Sequence, residues 1–170
     1  LTRVTNIILD MSYAASQYPV PFYFLLIAFS GEKLKAYFAY MLERDTLGIY
    51  WRTQFIDFSF IAATFISGLV ISLFLARLHQ KTSWLYRLSV LAAVIVPMGA
   101  VFDALENLVS FVMLSQPSSF PNWLALVYSS FAVIKFASIA LGYSLWLISL
   151  LGFLVMRVGK LWHRNSAPTS

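Results

Sequence analysis

Three stretches of this chain stay apolar for longer than any soluble helix needs, and that feature constrains everything else. A helix crossing a hydrocarbon core of about 30 Å takes about 20 predominantly apolar residues. Residues 53–76, 88–114 and 122–156 all reach that length. Only 11% of the chain is charged and 60% is hydrophobic, whereas a soluble domain carries roughly 25% charged residues. The expected fold is all-α, a polytopic membrane helical bundle with three spans in a single domain of 170 residues. The third run outlasts the bilayer at about 1.5 Å per residue, so its helix is expected to tilt, protrude or break near Gly142.

Residues 1–52 read as a re-entrant or interfacial segment preceding the bundle at 53–156, with 157–170 as a tail. The run PVPFYFLLIAFS at 19–30 is too short to span, and Pro19 and Pro21 suit a helix start. The stretch after it places Leu34, Phe38, Met41 and Leu42 at helical spacing, the pattern of a helix lying on a membrane surface. The alternative is a fourth, tilted span. Orientation comes from the loops, because cytoplasmic loops are rich in Lys and Arg. Residues 77–87 carry Arg77, Lys81 and Arg87 without an acid, the tail carries Arg157, Lys160 and Arg164, and 115–121 is uncharged. That puts the C-terminus in the cytoplasm and residues 1–52 outside, in a plasma membrane of bacterial type. Trp51, Trp84, Trp123 and Trp162 fall at span ends, where amphipathic rings prefer to sit. The chain opens at Leu1 without Met, so upstream sequence is expected, and whether it holds a helix stays open at this point.

Four ionisable residues and an amide interrupt the apolar runs: Asp57, Asp103, Glu106, Asn107 and Lys135. An ionisable side chain at the bilayer centre costs at least about 2.5–3.5 kcal/mol, so each needs a partner. Counted from the cytoplasmic ends, all five sit about 24–33 Å up their helices, near one level just under the outer interface. Small and polar residues share their faces: Thr64, Ser67, Gly68 and Ser72 with Asp57; Gly99, Ala100 and Ser110 with Asp103; Ser138, Gly142 and Ser149 with Lys135. Small residues permit close helix approach in membranes, so the charges are expected to point into the bundle. Asp57 is expected to pair with Lys135 or Arg52. Pro97 frees a carbonyl one turn earlier, a further polar demand. Three carboxylates against one ammonium leave a negative balance for a proton, Arg52 or a bound ion to meet.

The stretch FDALENLVSFVML followed by VIKFAS resembles an uncharacterised family of small bacterial membrane proteins. Its pattern is a Phe-Asp-x-x-Glu-Asn helix, a preceding helix with an Asp after a Leu-Gly turn, and a closing helix with a Lys. The matching positions are Leu47, Gly48, Asp57, Phe102, Asp103, Glu106, Asn107 and Lys135, within residues 45–140. The resemblance implies one more helix before Leu1 and supplies no activity.

Several function classes drop out. Without cysteine there is no disulfide framework, thiolate metal site or thiol catalysis. The net charge of +5 is spread over span ends rather than gathered in a patch, which suits anionic lipid and not nucleic acid. No Gly-rich phosphate loop, Ser-His-Asp order or zinc motif is present. His79 and His163 fall in cytoplasmic segments and are expected to be solvated, and Trp146 is expected to pack at mid-membrane. The leading reading is a non-catalytic scaffold or accessory subunit, whose polar knot sets helix register and leaves neither cavity nor ion. Its partners are the lipid bilayer and other membrane proteins or further copies of the chain. The alternative is an ion- or proton-coupled binder or carrier of a small molecule or lipid, with a pocket lined by the charged residues. A membrane-embedded acid/base enzyme on a lipophilic substrate is third, and the lack of a His in any span counts against it. The residues specify no cofactor and no particular metal.

Overall fold

The computed structural model describes residues 2–21 and 27–165. Five helices make up the described fold, with no strand among those residues: α1 (Thr2–Ala15), α2 (Gly31–Glu43), α3 (Leu47–Arg77), α4 (Trp84–Ser115) and α5 (Trp123–Asn165). Three are long and apolar enough to cross a membrane, namely Leu47–Arg77, Trp84–Ser115 and Trp123–Gly159. The protein is an all-helical membrane bundle. The middle of the apolar run 19–30 lies outside the described residues, as do the side chains of Lys160, Trp162, His163 and Arg164.

Local chemistry sets the helix ends. Ser30 caps α2 by accepting from the Lys33 N–H, and Ser83 caps α4 by accepting from the Tyr86 N–H. Helix α2 stops at Asp45, which adopts the left-handed conformation at φ 55°. There the Thr46 N–H bonds the Met41 carbonyl and the Asp45 N–H bonds that of Leu42, the paired reversal that closes many helices. This turns the chain straight into α3.

α4 is the middle helix, packed on α3 along one side and α5 along the other. Val96, fully buried, is the wedge that joins all three. A Cβ on Gly68 of α3 would come within 2.7 Å of Val96 Cγ1, and one on Gly142 of α5 would collide with Val96 Cγ2. Gly142 is thus a socket for a neighbouring side chain and not a break, and α5 runs unbroken past it. The outward faces carry Ile66, Val70, Phe74, Leu147 and Val155, all exposed, as expected where lipid is the solvent. Trp84 and Trp123 are also exposed at helix starts, and Trp51 packs on Phe111 at 5.0 Å.

Two parts depart from the sequence reading. Helix α1, which it missed, packs along α3 and turns Val4, Ile7, Ile8 and Met11 outward. Its Ser12 hydroxyl meets that of Thr53 at 2.7 Å. Helix α2 does not spend its apolar face on lipid. Leu34, Phe38 and Met41 are fully buried against Tyr50, Met113, Phe120, Leu124 and Tyr128, and only Leu42 of the expected stripe is exposed. α2 therefore plugs one end of the bundle, because the span ends there supply an apolar surface that protein covers better than headgroups do.

Candidate functional site

Below that plug the five interrupting residues meet. Lys135 Nζ of α5 stands 2.9 Å from Asp103 Oδ1 and 2.6 Å from Glu106 Oε2, both on α4. Asp103 and Glu106 are three residues apart, hence on one face of their helix, and the ammonium reaches across to bridge them. On the other side Asn107 Nδ2 donates to Asp57 Oδ2 of α3 at 2.7 Å. All five are buried. Asp57 does not make the expected salt bridge: among the described ion pairs it has neither Lys135 nor Arg52, and the Asn107 amide answers it instead. The cause is rotational. Lys135 follows the face of α4 that carries Asp103 and Glu106, while Asn107, one residue and about 100° further round, faces α3.

Toward the plug the cluster is closed by aromatic side chains. Tyr50 and Tyr128 are both buried, and the Tyr50 hydroxyl lies beside Tyr128 and Ser110 and close to Glu106. Glu106, 1% exposed, is thereby sealed. Toward α1 the cluster is open. A cavity of about 310 Å³ lies between α1 and α5 with α3 as its floor, and Asp57, Asp103 and Lys135 form its polar wall. Phe60 of α3 and Phe136, Ile139 and Tyr143 of α5 supply apolar surface, and Leu9 and Tyr13 of α1 close the far side. Burial, with Tyr50 beside it, holds the Tyr13 phenol above its usual range, so Tyr13 stays a neutral hydroxyl, donating to the Val20 carbonyl at 3.1 Å.

Four polar members of the wall escaped the sequence reading: Asp10, Thr53, Gln54 and Thr64 as a lining residue. Gln54 and Thr64 are both buried, and the Thr64 hydroxyl has no hydrogen-bond partner among the described residues. A signal was present, since Thr53, Gln54, Asp57 and Thr64 recur at helical spacing along one side of α3. Glu106 belongs to the polar cluster but not to the cavity wall. Among the described residues no three His, Cys, Asp or Glu side chains converge as metal ligands; between Asp103 and Glu106 the ammonium of Lys135 takes the place an ion would need.

A second polar cluster sits toward the other end of the bundle. His79, expected to be solvated, is 8% exposed. Its Nε2 meets Ser149 Oγ at 2.9 Å, Ser149 meets Ser89 Oγ at 2.7 Å, and Ser89 donates to the Leu85 carbonyl at 2.9 Å. The chain continues past α3 far enough to tuck the imidazole between α4 and α5. Trp146 packs on Tyr143 at 5.0 Å and donates its indole N–H to Ser72 Oγ at 2.7 Å.

Compared with known proteins, the chain matches no family model, no curated protein and no solved structure.

Proposed function

We propose that this protein is a non-catalytic membrane component that binds a small amphipathic molecule in the cavity beside Asp57, the molecule reaching it sideways between α1 and α5. The observation that supports this over a pure scaffold is the cavity itself. A knot that only fixes register has no use for an open side, yet Asp57, Asp103 and Lys135 all line one. Its size falls at the low end of small-molecule pockets, roughly 300–1,000 Å³, which combine apolar walls with a few placed polar groups. The Lys135 bridge serves as framework: it holds α4 to α5 so that the wall keeps its shape. Acid/base catalysis has less support, because Asp103 and Glu106 are tied to one ammonium. Membership of the small bacterial family with the Phe-Asp-x-x-Glu-Asn helix belongs to the same proposal.

The test fills the space. Ile139→Trp places an indole where the apolar wall stands, and binding of a dansylated ten-carbon probe to the protein in nanodiscs is followed by fluorescence. Loss of binding with unchanged thermal melting supports the reading; equal binding by the parent and the filled variant overturns it.

For orientation we propose that the α2 plug faces outward from a bacterial inner membrane, with residues 78–83 and the C-terminal tail in the cytoplasm. The distribution of Arg77, Lys81, Arg87 and Arg157 supports this. The chain lacks cysteine, so single cysteines at Ser118 and Gln80, both exposed, report sidedness cleanly. An impermeant maleimide added outside intact cells labels the first and spares the second; the reverse pattern sinks the assignment.

A further inference from the structure

We infer that the ligand of this cavity is an organic cation, a protonated or quaternary amine on an apolar body, seated on Asp57. The inference rests on the cavity being a binding site. It begins with how the wall distributes its charges. Lys135 is engaged by two carboxylates at 2.9 and 2.6 Å, so its positive charge is already answered twice. Asp57 differs. One of its oxygens takes the Asn107 amide, a neutral donor, and the other has no hydrogen bond among the described residues, in a side chain that lines the cavity. Asp10 adds a further carboxylate to the wall from α1. Among the described residues the lining carries three acids and one engaged base, a surplus of negative charge, with Asp57 and Asp103 buried and Asp10 exposed.

Each ligand class meets this wall differently. An anion faces Asp10, Asp57 and Asp103 and finds the ammonium occupied. A neutral molecule leaves Asp57 with the neutral Asn107 amide as its hydrogen-bond donor among the described residues. A bare metal ion lacks converging ligands among the described residues and is poorly served by Phe60, Phe136 and Tyr143. An organic cation satisfies all of it: a charge-assisted hydrogen bond or contact to Asp57 Oδ1, aromatic faces that attract a cation within about 6 Å, and apolar walls for its body. The Thr64 hydroxyl, more than nine-tenths buried and with no hydrogen-bond partner among the described residues, is a second acceptor for an amine.

Three matched probes test this on the full chain in zwitterionic nanodiscs, with empty nanodiscs to subtract partition into lipid. They are ten-carbon chains that carry a dansylamino group at one end and, at the other, a primary ammonium, a hydroxyl or a carboxylate. The amine is expected to bind at least about tenfold tighter than the alcohol, a difference of about 1.4 kcal/mol, and the acid weakest. Asp57→Asn is expected to bring the amine down to the affinity of the alcohol. If that variant fails to fold, amine binding by the parent measured against a choline-headed competitor decides instead, with no displacement counting against the cation. Equal affinity for amine and alcohol, both lost in Ile139→Trp, refutes the cation and leaves the pocket standing. No specific binding of any probe removes both.

Discussion

Replacing Lys135 with Met strips the bridge of its only positive charge and leaves Asp103 and Glu106 facing each other. Glu106, with a side chain 1% exposed, cannot recruit water to make up the loss, and Asp103, 10% exposed, reaches only the cavity. Removing one partner of a buried ion pair costs about 3–5 kcal/mol, because the charge left behind is uncompensated; here two are left, so the upper half of that range is expected. The reasoning also fixes an asymmetry. Glu106→Gln keeps a carbonyl oxygen for the ammonium and leaves a balanced Lys135–Asp103 pair, so it is expected to change stability by no more than about 1 kcal/mol, as for a single buried hydrogen bond. The triple variant Lys135→Met, Asp103→Asn, Glu106→Gln removes every charge of the bridge and is expected to recover most of the loss, since buried ion pairs are often replaceable by neutral groups. Reversible unfolding in mixed micelles, titrated with SDS, measures all four proteins. A Lys135→Met variant within about 1 kcal/mol of the parent, or a triple variant no better than the single, would show that these charges do not depend on one another.

The other expectations are smaller and local. Gly142→Ala drives a methyl into Val96 and is expected to cost about 1–3 kcal/mol by overpacking; Val96→Ala in the same chain should return part of it, and a double-mutant cycle in the same unfolding assay reads the coupling. Ser149→Ala takes the hydroxyl from His79 Nε2 and should cost about 0.6 to 1.7 kcal/mol, the range for polar contacts between membrane helices; a loss below 0.3 kcal/mol contradicts the buried placement of His79. Ser30→Ala removes the cap of α2 for about 1 kcal/mol, which hydrogen exchange should report as faster exchange in the first turn of α2 while the Val96 region stays protected.

What the sequence disclosed follows the range of the physics involved. The spans were legible because bilayer thickness imposes a length on each apolar run, and the observed helices Leu47–Arg77, Trp84–Ser115 and Trp123–Gly159 contain or nearly match the expected runs. The meeting of Asp103, Glu106 and Lys135 was legible from depth, since lipid penalises each alone. Pairing was less so. Whether Lys135 or Asn107 answers Asp57 turns on about 100° of helix rotation, which residue counting leaves open. Helix α1 escaped because it is only 14 residues long, although Val4, Ile7, Ile8 and Met11 spell out a helical stripe. The cavity was beyond reach, being a space between α1 and α5 that no single segment encodes. His79 was misread because position near a helix end says nothing about whether the ring turns back into the protein.

The bridge at Lys135 also has a consequence for how the chain is made. Both acids are synthesised before their counter-charge, since α4 leaves the ribosome ahead of α5. Until Lys135 arrives, α4 carries two bare carboxylates, each opposed to insertion by up to about 2.5–3.5 kcal/mol, the cost at the bilayer centre. The seven residues between the helices, 116–122, form a tight return, so the two can enter the lipid as one hairpin with the charges already matched. A nascent chain stopped just after Ser115 should accordingly integrate less efficiently than one stopped after Asn165, and Glu106→Gln should narrow that gap.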